Sequence, residues 1–181
     1  MYENNFLANH LRSASVGREA QPFAETIEGS VVSYADFFKG AEQFASVLLS
    51  KGVKPNDRVA VQVDKSIEVL QLYVGTVLAG GVFLPLNTAY TTSEIAYFLG
   101  DATPTVFVCR GESREALAAV AKEAGVSALE TLNADGSGSL ADAAKQQAGS
   151  FTAVTRDEDD LAAILYTSGT TGRSKGAMLS H

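Results

Sequence analysis

The chain has 181 residues, of which 46% are hydrophobic, enough to bury one substantial core. Its 21 acidic against 14 basic residues give a net charge of -7 and leave no basic run to track a nucleic-acid backbone. Cys109 has no partner for an internal disulfide and no cluster of metal ligands around it, the N-terminal segment lacks a secretory apolar run, and no stretch reaches membrane-span length. A cytoplasmic protein that engages neither membrane nor nucleic acid is the expectation.

In chain order, Phe6, Leu7, His10 and Leu11 recur at helical spacing and predict a short amphipathic helix before Gly17, with His10 packed on its apolar side. Ala24–Ile27 and Val31–Ser33, around Glu28-Gly29-Ser30, read as a small hairpin. Ser33 then caps a helix that runs to about Lys51. It carries Asp36 in its first turn, a buried stripe of Phe37, Phe38, Ala41, Phe44, Ala45 and Leu48, and Gly52 as its stop.

Beyond it strands and helices alternate. Arg58–Val63 is extended, Ser66 caps a helix to about Ala79, and Val82–Leu86 is a second apolar run. Thr91 and Glu94 have capping-box spacing before a helix to Gly100; Thr105–Cys109 is a strand, Glu112–Ala124 a helix and Ser127–Thr131 a strand. This alternation predicts an α/β fold with a mostly parallel sheet flanked by helices. Asn133–Ser139 and the small-residue helix Leu140–Gln147 read as a surface excursion. The charged run Arg156–Asp160 leads into Leu161–Leu165, which suits a buried strand.

Directly after that strand comes Thr167-Ser168-Gly169-Thr170-Thr171-Gly172, with Lys175 and Gly176 close behind. Glycines let backbone amides turn toward an anion, hydroxyls donate to phosphate oxygens, and a lysine within reach adds positive charge. The composition suits a polyphosphate. Neither the Walker spacing nor a dinucleotide Gly-x-Gly-x-x-Gly occurs here, and an ordinary Gly/Ser/Thr turn is the competing reading.

The longer run decides between them, because Leu165–Gly176 resembles the signature loop of the adenylate-forming (AMP-binding, acyl-CoA synthetase) superfamily. Leu78–Asn87 and Ser33–Asp36 are similar to two upstream blocks of the same superfamily, so the resemblance spans nearly the whole chain. Arg173–His181 and Asn87–Thr91 look most like its malonyl-CoA synthetases. Ser174 departs from the pattern, since proline usually precedes the loop lysine and would stiffen the turn.

The resemblance implies that residues 1–181 are the N-terminal part of a large adenylation domain. ATP, Mg²⁺ and coenzyme A would be its cofactors and co-substrate, and malonate or a similar small carboxylate its acid. It implies that Thr167, Ser168, Gly169, Thr170, Thr171, Gly172 and Lys175 bind the ATP phosphates, with no catalytic or metal-ligating residue in this stretch. The adenine pocket, acyl pocket, magnesium carboxylate and C-terminal lysine domain are then expected beyond His181, so these residues alone do not complete adenylation. A synthetase of another acid, an amino-acid adenylation domain and a non-catalytic binding module are the alternatives.

Smaller signals read as structural. His181 reads as solvent-exposed or structural and not as catalytic, His10 as a packing residue and Cys109 as a small buried hydrophobe. Asp64 and Lys65 form a strand-to-helix turn, while Tyr90 either lines a cleft or packs its loop.

Overall fold

The computed structural model describes residues 2–26, 29–167 and 174–181. Helix α1 (Phe6–Ser13) is followed by β1 (Pro22–Glu25), β2 (Val31–Ser33) and α2 (Tyr34–Ser50). Then come β3 (Arg58–Gln62), α3 (Ile67–Leu78), β4 (Val82–Pro85), α4 (Thr92–Ala102), β5 (Val106–Cys109), a 3₁₀ turn (Gly111–Ser113) and α5 (Arg114–Glu123). The chain ends with β6 (Ala128–Thr131), α6 (Ser139–Lys145), β7 (Leu161–Thr167) and β8 (Lys175–Ser180).

Local chemistry starts the main helices. The side chains of Ser33, Ser66 and Thr91 accept the amides of Asp36, Val69 and Glu94, and Thr91 with Glu94 completes a capping box. Helix α2 ends where Gly52 adopts φ 90°, and α4 runs slightly past Gly100 to stop on Thr103 at φ 43°.

The main sheet has the order β6-β5-β3-β4-β7-β8 and is parallel except for the β7–β8 pair; β1 and β2 form a separate antiparallel hairpin. Side chains alternate across the sheet. Val59, Val61, Val106, Val108 and Phe83 pack with α2, α3 and α6 on one face, while Ala60, Leu84, Phe107 and Cys109 pack with α4 and α5 on the other. From β3 the chain steps one way to β4, and from β5 the opposite way to β6. A topological switch point therefore lies between β3 and β5, at the carboxyl ends of the strands.

Three expectations change. Leu140, Ala141 and Ala144 are buried against the α2 side of the core, so α6 is not a surface excursion: its small side chains bury by letting the helix approach closely. In α1 the buried residue is Ala8, while Phe6 and Leu11 are 38% and 37% exposed and His10 is exposed. This helix docks through its cap instead, because Asn5 donates to Val77 O and Val154 O and accepts from Ala8 N.

Strand β7 buries only Ala162 and Ala163 well, since it lies next to the sheet edge. The edge strand β8 had no counterpart in the sequence reading. Within the charged lead-in, Arg156 is buried, donates to Asn56 Oδ1 and pairs with Asp160 at 3.4 Å.

Candidate phosphate-binding site

Strand β7 runs parallel to β4, with Phe83 opposite Ala163, so Thr167 reaches the carboxyl edge of the sheet beside the ends of β3 and β4. Open α/β sheets bind ligands at this edge. Thr167 is the register partner of Lys175, the first residue of β8, and the two close the hairpin around the intervening segment. Of the expected binding residues, Thr167 and Lys175 are thus brought together. Ser168, Gly169, Thr170, Thr171 and Gly172 lie outside the described residues.

Directly opposed residues of an antiparallel pair share one face of the sheet. Thr167 and Lys175 therefore stand on one side, and Tyr166 and Gly176 on the other, toward α4. Both Thr167 and Lys175 are exposed, and among the described residues Lys175 enters no ion pair, which leaves its ammonium available to an anion.

On the α4 side the hairpin is packed tightly. A Cβ on Gly176 would come within 2.8 Å of Ile164 Cγ2, so glycine lets β8 pass under the Ile164 and Tyr166 side chains. The Tyr166 ring rests 4.6 Å from that of Phe98, and its hydroxyl donates to Asp101 Oδ2. Burial first, then Asp101, pushes the Tyr166 phenol up from its ordinary value, already well above neutral pH, so the hydroxyl is a donor throughout the physiological range. Tyr97 OH donates to the carbonyl of Ser174 at 3.0 Å.

At the switch point, a polar open crevice of about 360 Å³ is lined by Gln62, Thr88, Tyr90, Arg110, Glu112 and Leu117. Gln62 Nε2 donates to Asn87 O at 3.0 Å and fixes the β4–α4 loop. Tyr90 both lines this crevice and packs on Phe98, with ring centroids 4.8 Å apart. Arg110 lies 3.1 Å from Glu112 and 4.0 Å from Asp64, so the β3–α3 turn reaches across the switch point.

The remaining candidates are structural. Cys109 is wholly buried at the end of β5, and burial pushes its thiol up to about 11 against the lowering charges of Arg114 and Arg110. His10 sits over Phe6 on its own helix, with Nδ1 2.9 Å from Phe6 O. His181 Nδ1 accepts the amide of Leu7 at 3.4 Å, and its own amide donates to Asp160 O.

Sequence reasoning did not single out Tyr97, Asp101, Arg110 or Gln62. Tyr97 and Asp101 stand four residues apart beside the buried stripe of α4. That spacing was readable, but their partners 77 and 65 residues away were not.

Residues 11–181 match the family described as AMP-binding enzyme. Crystal structures of MatB from Rhodopseudomonas palustris superpose on the chain. The apo form gives a TM-score of 0.93 at 48% identity, over 98% of this chain and 35% of that one. The ATP-bound form gives 0.88 at 49% identity, with the same coverage. A long-chain-fatty-acid–CoA ligase of Mycobacterium tuberculosis is 31% identical over 168 residues, covering 93% of this chain and 33% of its own length. Gramicidin S synthase 2 of Brevibacillus brevis is 29% identical over 180 residues, 99% of this chain and 4% of its own. The chain thus spans about a third of the MatB and ligase chains and a small part of the synthase.

Proposed function

Because the chain belongs to the AMP-binding enzyme family, we propose that it is the N-terminal part of the adenylation domain of an ATP-dependent acyl-CoA synthetase, an acid–thiol ligase. The pairing of Thr167 with Lys175 at the carboxyl edge of a parallel sheet supports this reading most, because it brackets a hydroxyl- and glycine-rich segment with a cation that enters no ion pair among the described residues. In the reaction, a carboxylate attacks the α-phosphorus of ATP and pyrophosphate leaves; the thiol of coenzyme A then displaces AMP and forms the thioester.

This chain contributes grip. The Thr167 hydroxyl donates to phosphate oxygens and the Lys175 ammonium offsets their charge. Ser168, Thr170 and Thr171, with the amides at Gly169 and Gly172, complete the cradle as the family resemblance implies. Held in place beforehand, such donors stabilise charge without reorganising during the reaction. Magnesium, implied by the same resemblance, finds no carboxylate cluster to hold it: among the described residues no three His, Cys, Asp or Glu side chains come together.

For the acid we propose malonate, on the similarity of Asn87–Thr91 and Arg173–His181 to malonyl-CoA synthetases and the 48% identity to MatB. The pocket that selects it belongs, in this reading, to residues beyond His181. A second reading, amino-acid adenylation, is favoured by the match to gramicidin S synthase 2 along 180 residues. The proposal includes a cytoplasmic location, in keeping with a single buried cysteine. Among the described residues no helix is long and apolar enough to cross a membrane.

The test uses the complete protein that carries this sequence, with malonate, other short acids and amino acids offered in ATP–pyrophosphate exchange and in thioester formation. Malonyl-CoA formation with a dominant kcat/KM for malonate is the expected result. Dominance of another acid would discard malonate and keep the ligase, and exchange with an amino acid but no CoA product would favour the second reading. Exchange with no acid at all would discard both.

A further inference from the structure

Helix α4 touches the phosphate-loop hairpin on both sides of the loop. Tyr97 and Asp101 are one turn apart on that helix, which places their side chains on one face. The Tyr97 hydroxyl donates to the carbonyl of Ser174, the residue before Lys175. Asp101 accepts the hydroxyl of Tyr166, the residue before Thr167. The two contacts are therefore made beside the two members of the hairpin's closing pair.

We infer that Tyr97 and Asp101 are positioning residues for ATP: from the face opposite Thr167 and Lys175, they hold both ends of the phosphate loop in the spacing that grips the polyphosphate. This rests on the proposed ATP-dependent reading and assigns the Thr167–Lys175 closing pair a support from outside the hairpin.

The geometry explains why a support is useful here. Among the described residues β8 is the edge strand, pairs with β7 alone and is exposed along its length, so no second strand flanks Lys175 there. Ser174 has no ring to fix its backbone, and a peptide plane that can rotate swings the following residue with it. The Tyr97 bond fastens the carbonyl of that plane. On the other strand, the Tyr166 ring is held between Phe98, Gly176 and Asp101, which fixes the register of Thr167 opposite Lys175. Helix α4 is itself a rigid mount: its start is fixed by the Thr91–Glu94 capping box, and Ile95, Phe98, Leu99 and Ala102 are buried.

The experiment compares Tyr97→Phe, Asp101→Leu and Asp101→Asn in the complete protein, with Leu140→Ala as a destabilised control whose lesion lies in a helix on the opposite sheet face. KM and equilibrium Kd for ATP, KM for the acid and for coenzyme A, kcat and Tm are read for each. Loss of one anchoring hydrogen bond is expected to raise KM and Kd for ATP about five- to tenfold in Tyr97→Phe and in Asp101→Leu. KM for the acid and for coenzyme A should stay within about twofold, as should ATP binding by the control. Asp101→Asn keeps a carbonyl acceptor for Tyr166 and should restore ATP binding to near the wild-type value.

Unchanged ATP binding with only a lowered Tm would overturn the positioning role. So would an equal rise in all three KM values, or an Asp101→Asn variant no better than Asp101→Leu. Failure of the wild-type protein to bind ATP would instead overturn the functional reading itself, and the inference with it.

Discussion

Lys51, just past the end of α2, places its ammonium 2.6 Å from the carboxylate of Glu130 in β6. Burial disfavours an ionised Glu130, but hydrogen bonds from Lys51 and Ser139, with the charges of Lys51 and Arg114, outweigh it and hold the carboxyl below its ordinary 4.5. The Ser139 hydroxyl also accepts the amide of Thr131, so one side chain ties the start of α6 to the end of β6.

A carboxyl held lower in the folded state adds stability above its unfolded value, near 4.5, and that stability is lost as pH falls through the folded value. Glu130→Gln should therefore lose about 1–2 kcal/mol at pH 7, less than a deeply buried pair would because Lys51 is one-third exposed. Urea unfolding at pH 7 and pH 3 checks this. The gap between wild type and variant should narrow in acid, and a gap of equal size at both pH values would contradict the ion-pair account.

Leu140 is wholly buried although it lies in a helix whose other core contacts come from Ala141 and Ala144. With such small neighbours it supplies most of that helix's apolar anchor. Leu140→Ala should cost about 2–4 kcal/mol, as large-to-small core changes do, while Ala143→Ser at the half-buried flank should cost under about 1 kcal/mol. Chemical denaturation of the two variants checks both. Similar losses for the two would return α6 to the surface.

How legible a segment was depended on whether its determinants were local. The starts of α2, α3 and α4 were readable because Ser33, Ser66 and Thr91 bond amides within their own first turns. Strand β8 was not, since Lys175-Gly176-Ala177-Met178-Leu179-Ser180 has no clean alternation and is extended by pairing with β7. Helix α1 misled because Phe6 and Leu11, among its apolar residues at helical spacing, stay more than a third exposed, while polar Asn5 is wholly buried and makes the docking contacts. At the candidate site, the Gly/Thr/Ser pattern suggested a phosphate loop, whereas the contacts of Tyr97 and Asp101 exist only once α4 lies against the hairpin.

Cys109 should be inert in the native protein. With its thiol pushed up to about 11, roughly one molecule in a thousand carries a thiolate at pH 8, and the side chain is wholly buried in β5. A thiol reagent at pH 8 should modify the protein at the rate of its unfolding and react promptly once denaturant is added. Fast labelling without denaturant would mean that the sheet opens locally around β5.

His181 couples the first helix to the last strand, and the coupling requires an unprotonated Nδ1, because that atom accepts the Leu7 amide. Burial first and the nearby Arg156 second hold the imidazole below its ordinary 6.5, against the opposing pull of Asp160. At pH 7.5 folded and unfolded states are both mostly neutral, and the interaction contributes in full. As pH falls through 6.5 the unfolded chain takes up a proton that the folded protein resists, so stability declines until the folded imidazole titrates as well. The slope from this one group is at most about 1.4 kcal/mol per pH unit. Unfolding free energies between pH 7.5 and 5.5, above the range where Glu130 titrates, should fall in the wild type and fall less in His181→Gln. Parallel curves for the two proteins would assign the acid sensitivity to another group and leave the Leu7–His181 contact without an energetic role.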